Sequence, residues 1–194
     1  MIDLQTAREP VLKAFMVEQF SSDFFIRPEV TGKHMITGDK VKADYMLQPK
    51  SHLLEAGFED CKFVIEVKGV YGNNLSPRTR MEHAIQQAAT YVHSRFDFGQ
   101  PRFAILFPAF AIFLQEQFAS IESKHDRELV LWNVTRTVQN MAMFQHVGCL
   151  EVTEDYITHA PVWKISMGGQ RLFSIAEGRN PANMLRERIG NFEA

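Results

Sequence analysis

Apolar positions along the chain recur at two periods, and the switches between them mark out the elements. Over residues 6–20 they fall at Val11, Leu12, Phe15, Met16 and Phe20, which is helical spacing, with Thr6 and Glu9 placed as a capping box. The period then shortens. Phe24-Phe25-Ile26 and Val30 predict a strand broken by Pro28, and residues 42–47 predict a second strand with Asp44 inside it. Residues 63–67 predict a third, closed by Gly69. After a polar loop over 70–80, Met81, Ala84, Ile85, Ala88, Ala89 and Val92 give a helix over 78–96 one apolar side of small and medium residues. A strand over 102–107, a helix over 111–121, a strand over 129–134 and a helix from Thr135 to a stop at Gly148 follow. The last third reads as short strands joined at Gly168-Gly169, then a polar helical tail from residue 180 onward.

One of these strands conflicts with its own pattern. In Phe63-Val64-Ile65-Glu66-Val67-Lys68-Gly69, alternation sends Phe63, Ile65 and Val67 one way and Val64, Glu66 and Lys68 the other. A carboxylate and an ammonium on a hydrophobic strand cost stability unless they are paired or hold something. Such a disagreement between local pattern and local chemistry is expected at a functional site, although Glu-x-Lys is also a common exposed pair on a solvated sheet face.

Composition narrows the class. The 194 residues fit a single domain over 1–194 with room for a sizeable core, and 45% hydrophobic with 23% charged residues is ordinary for a soluble globular protein. A formal charge of −2 gives no global attraction to nucleic acid, while leaving room for a local basic patch around an acidic site. Cys61 and Cys149 are far apart without metal-ligand spacing, which argues against a disulfide framework or zinc ribbon. The first residues lack the basic and apolar regions of a signal peptide, and the longest apolar run, over 103–114, is too short for a membrane span. A cytoplasmic protein in a reducing compartment, with no membrane partner, is the expectation.

The order of the charged motifs then becomes specific. Asp44 on one strand, Glu66-Val67-Lys68 on the next and Gln87-Ala88-Ala89-Thr90-Tyr91 on the following helix resemble the PD-(D/E)XK, or restriction-endonuclease-like, nuclease superfamily. The Gln-x-x-x-Tyr element is similar to its RecB-type exonuclease branch. The resemblance covers residues 6–107, and Ala43 stands where the superfamily's name has proline. It implies an α/β (α+β) fold with an αβββαβ core and a mixed central sheet. Residues 108–194 would then be a helical and β extension packed on that core.

The resemblance also implies a chemistry. Asp44, Glu66 and the Val67 backbone carbonyl would bind Mg2+ or Mn2+, since hard oxygen ligands suit these ions. Lys68 would act on the attacking water or the developing charge, and Gln87 and Tyr91, one helical turn apart, would position DNA. Among the superfamily's first-helix acids, Glu18 is the candidate on the more buried side, with Glu9 also available. Arg78 and Arg80, together with Lys33, Lys40, Lys42 and Lys50, flank the motifs in sequence and could guide phosphates. The expected activity is metal-dependent cleavage of DNA, endo- or exonucleolytic. The competing class is a catalytically inactive module binding DNA or a protein partner, with the C-terminal extension open to a protein contact or homodimerisation. The seven histidines show no zinc spacing, and there is neither a Gly-x-Ser-x-Gly elbow nor a Gly-rich phosphate loop.

Overall fold

The computed structural model describes residues 2–55, 58, 60–72, 74–154, 161–168 and 170–175. The polar tail expected from residue 180 lies outside them. The elements in chain order are α1 (Glu9–Phe20), β1 (Phe24–His34), β2 (Lys40–Pro49), α2 (Ser51–Glu55), β3 (Phe63–Val67), α3 (Pro77–Val92), β4 (Ser94–Phe96), β5 (Phe103–Phe107), α4 (Phe110–Leu114), α5 (Lys124–Met143), β6 (Val147–Glu154), β7 (Pro161–Met167) and β8 (Gln170–Ile175). A 3-10 turn, Gln115–Phe118, links α4 to the segment before α5. No helix among the described residues is long and apolar enough to cross a membrane.

The strands form one mixed sheet in the order β4-β1-β2-β3-β5-β6-β7-β8. β1, β2 and β3 run antiparallel in sequence, and β5 and then β6 join in parallel, with α3 making the crossover between β3 and β5. β7 and β8 extend the same sheet as an antiparallel meander, so the strands after residue 107 widen the central sheet. Two apolar layers cover it. On one face α1 buries Leu12, Met16 and Phe20 against Phe24, Leu47, Phe63, Ile65 and Val67. On the other, α3 lays Met81, Ala84 and Ala88 over Val64, Ala104 and Leu106, with α4 and α5 beside it. The alternation expected for β3 is therefore met, and its two faces feed two separate core layers.

Several boundaries differ from the sequence reading for local reasons. α1 begins at Glu9 with Arg8 as its N-cap and Pro10 in its first turn, while the Thr6 hydroxyl bonds Asp3 instead of capping the helix. Pro28 does not break β1. β4 pairs only with Gly32 to His34, so β1 has an open edge at Pro28, where a missing N–H costs no ladder bond. The strand expected over 129–134 is helical, inside α5. Ser123 caps that helix by accepting from the Asp126 N–H, and Leu131, Val134, Val138 and Ala142 pack at helical spacing on the α3 side of the sheet. The apolar run Leu129-Val130-Leu131-Trp132, with one β-branched and one aromatic residue, misled on propensity where periodicity over the longer window decides. Gly148 does not stop a helix. α5 ends at Met143, and Gly148 lies within β6, where a Cβ would meet the Ser166 carbonyl oxygen at 2.6 Å.

Candidate active site

The candidate residues gather where β2 parts from β3. The ladder between these strands runs from Leu47↔Phe63 to Tyr45↔Ile65. At the next position the Asp44 side chain replaces the ladder, its Oδ2 accepting from the Val67 N–H at 2.9 Å. Alternation along β2 breaks there. Tyr45 and Leu47 belong to the α1 layer and Met46 to the α3 layer, yet the Asp44 carboxylate also turns toward α1. β3 meanwhile stays tied to β5, and the Lys68 N–H donates to the Phe107 carbonyl at 2.9 Å, which fixes the backbone at the lysine.

Glu66 projects to the α3 side and is 2% exposed. Its Oε1 accepts from Lys68 Nζ at 3.0 Å, and its Oε2 lies 3.0 Å from the Tyr91 hydroxyl. Tyr91 also lies 2.7 Å from the Lys42 carbonyl and accepts from Gln87 Nε2 at 2.7 Å. A phenol has one proton for two acceptors, so either Lys42 or Glu66 is served at a given moment. Burial, and then the Asp44 charge, push the Glu66 carboxyl up to about 7, against the opposing pull of Lys68 and the bonds from Lys68 and Tyr91. Burial and the Glu66 charge likewise hold the Tyr91 phenol well above the ordinary tyrosine range.

Asp44 has a second partner that sequence reasoning missed. Lys13 of α1 sits 2.6 Å from Asp44 Oδ1 and 3.1 Å from Glu9 Oε1. Burial works against its charge, but the bonds to Asp44 and Glu9 outweigh that and hold its pKa above the usual lysine value. Lys13 lies four residues from Glu9 on the helix that packs next to β2, so an i, i+4 pair aimed at a strand carboxylate was the available signal. Glu18 is exposed. It lies two positions beyond the buried Met16, round the helix from the packed face, so Glu9 is the α1 carboxylate that comes toward the seam.

The two flanking arginines differ in how far the protein itself occupies them. Arg80 is buried, donating from Nε to the Gly69 carbonyl at 2.8 Å and from Nη1 to the Gly72 carbonyl at 3.0 Å, so its guanidinium is occupied in fastening the loop after β3. Arg78 is exposed and pairs with Glu82 at 2.8 Å on the helix surface. Lys50, just past the end of β2, donates to the Ser21 carbonyl at 2.5 Å.

The seam thus holds two carboxylates, Asp44 and Glu66, approached from opposite faces of the sheet and near enough for one to shift the other's pKa, with an ammonium on each. Both oxygens of each carboxylate have protein partners. Among the described residues, no three His, Cys, Asp or Glu side chains gather closely enough to hold an ion by themselves. Comparison with protein-family models, with curated proteins and with solved structures finds no match for this chain.

Proposed function

We propose that this chain is a metal-dependent nuclease that hydrolyses DNA phosphodiester bonds at the seam between β2 and β3. The observation that carries the reading is the Lys68–Glu66–Tyr91–Gln87 chain of hydrogen bonds, with the Asp44 carboxylate tied to the Val67 N–H between Glu66 and Lys68. The element order helix, three antiparallel strands, helix, parallel strand supports a restriction-endonuclease-like core over residues 6–107.

The donor set fits magnesium or manganese. These ions keep several waters and take one or two carboxylates plus substrate phosphate oxygens, so Asp44, Glu66 and the Val67 carbonyl suffice where three protein acids are absent. The Lys13 ammonium on Asp44 Oδ1 is in keeping with an oxygen placed where positive charge is favoured. When bound, such an ion supplies charge neutralisation and a more acidic water. The chain's own groups do the rest. Lys68, held at its backbone by Phe107, carries its ammonium beside Glu66, where it can orient a water or meet negative charge developing on phosphorus-bound oxygen. In the reaction the water oxygen bonds to phosphorus, one phosphorus–oxygen ester bond breaks, and the departing oxygen takes a proton. Tyr91 and Gln87 fix the Glu66 rotamer from the α3 side.

A second reading has its own observation. Every oxygen of Asp44 and Glu66 is satisfied from within the protein, as in a network that only holds the fold together or binds without catalysis. Purified protein assayed on linear, circular and single-stranded DNA with magnesium or manganese separates the two. The nuclease reading expects cleavage that disappears in Lys68→Ala while DNA affinity is kept, since a group acting in the transition state changes turnover more than binding. Wild-type protein that binds DNA but cleaves no more than Lys68→Ala is the binding module.

A further inference from the structure

Five exposed side chains, four of them basic, line the face of β4, β1 and β2 opposite α3. Lys33 pairs directly with Arg95 of β4 on one side and with Lys40 of β2 on the other, so three cations stand in one row across three strands. Two residues along, Thr31 stands opposite Lys42. The residues between them, Gly32, Val41 and Phe96, turn the other way, and Val41 and Phe96 pack into the α3 layer.

Directly opposed side chains in a sheet lie about 5 Å apart, and like charges at that spacing destabilise it. Among the described residues no carboxylate pairs with Lys33, Lys40 or Arg95. The acids at the margin are otherwise engaged: Glu29 with Lys42 at 3.1 Å, and Asp97 accepting from the Thr31 hydroxyl at 3.2 Å. An uncompensated row of like charge is a cost to the free protein that a partner with repeating negative charge would remove. The row also leads somewhere. Lys40, Lys42 and Asp44 alternate on the same face of β2, the alternation breaking only after Asp44. At about 3.3 Å per residue, Lys40 lies roughly 13 Å from Asp44, on the order of four nucleotides of a duplex strand at about 3.4 Å of axial rise each.

We propose that the Arg95-Lys33-Lys40 row, continued by Lys42, is the track along which one DNA backbone leaves the cleavage seam. This rests on the nuclease reading for its direction, and on the cation row for its chemistry. Sequence does not enter, because contacts to phosphate position a nucleic acid without reading its bases.

The test uses the full chain in EDTA, which keeps DNA intact, and a short fluorescein-labelled duplex titrated at several salt concentrations. The triple variant Lys33→Gln, Lys40→Gln, Arg95→Gln is expected to bind more weakly at low salt on every duplex sequence. Its slope of log affinity against log salt should be shallower by about 3, near 0.9 for each lost phosphate contact. Its melting temperature should stay level or rise, because the substitutions relieve repulsion. Lys124→Gln, on a strongly exposed lysine at the start of α5, should leave the slope unchanged. A triple variant with the wild-type slope, an equal change in Lys124→Gln, or wild-type protein that binds no duplex at any salt would overturn the track. Failure of the nuclease reading looks different: the slope change is present, but wild-type protein with magnesium or manganese cleaves nothing.

Discussion

Lys13 Nζ lies 2.6 Å from Asp44 Oδ1, so the first helix reaches the seam with a cation, and Glu9 touches it only through that cation. An ammonium in this place balances Asp44 in the resting protein and competes for the oxygen that a divalent ion would take. Lys13→Met should therefore cost about 1–2 kcal/mol of stability at neutral pH in metal-free buffer, the usual loss for a charge-assisted hydrogen bond. With millimolar magnesium or manganese the loss should shrink, since an ion bound to N but not U stabilises the fold and takes over the counter-charge. Urea melts with and without metal measure both. Equal losses in the two buffers would mean that no ion reaches Asp44.

The raised pKa of Glu66 makes stability depend on pH. A buried carboxyl that titrates near 7 when folded and near its ordinary value when unfolded holds its proton longer in the folded state. The folded state then binds more protons between these limits, so stability is greatest at acid pH and falls as pH rises through 7. The loss amounts to roughly 3 kcal/mol at about 1.4 kcal/mol per unit. Glu66→Gln should remove this slope, making the variant more stable than wild type at pH 8 and closely matched at pH 5. Chemical denaturation of both proteins across that range decides it. A wild-type slope that persists in Glu66→Gln belongs to another group.

Tyr91→Phe should cost about 1–3 kcal/mol, because one hydroxyl serves Glu66, the Lys42 carbonyl and the Gln87 amide, and its removal leaves buried polar atoms without partners. Gln87→Ala should cost less, as it deletes the outermost member and leaves the phenol its two acceptors. Thermal melts of the two variants give the order. A Tyr91→Phe protein as stable as wild type would show that the phenol contributes no net binding to the network.

Activity should single out Lys68. Lys68→Ala should abolish metal-dependent cleavage while stability stays within about 1 kcal/mol of wild type, since its partly exposed head can be replaced at Glu66 by water. Retained cleavage in Lys68→Ala would remove this lysine from the chemistry.

Much of the seam was legible because its signals are local. The charges at Glu66 and Lys68 interrupt a strand whose other residues define its faces, and Ala84 and Ala88 mark a helix side built to lie close on a sheet. Lys13 was only half legible: its spacing from Glu9 shows an i, i+4 pair, but that the pair reaches Asp44 depends on how α1 packs on the sheet, which no spacing within α1 records. Arg80 misled for the opposite reason. A basic residue beside a motif reads as exposed, whereas here the guanidinium meets two backbone carbonyls of a neighbouring loop. The cation row needed the register of two strand pairs before Arg95, remote in sequence from Lys33 and Lys40, could be set beside them.

The Arg80 bonds to Gly69 and Gly72 have a mechanical consequence. Gly72 adopts φ of 141°, and a side chain there would approach the Arg80 guanidinium to 3.2 Å, so the turn is shaped around that one group. The backbone beyond β3 is thereby welded to the helix that carries Gln87 and Tyr91, and local opening of one requires release of the other. Amide protons in the first turns of α3 and around Gly72 should exchange as one cooperative unit rather than as a frayed loop beside a stable helix. In Arg80→Lys, which offers a point charge in place of a fork, the two sets should come apart. The wall of the seam on this side should therefore move as one body, so that on the nuclease reading adjustment to a bound strand would fall to side chains, chiefly the two ammoniums.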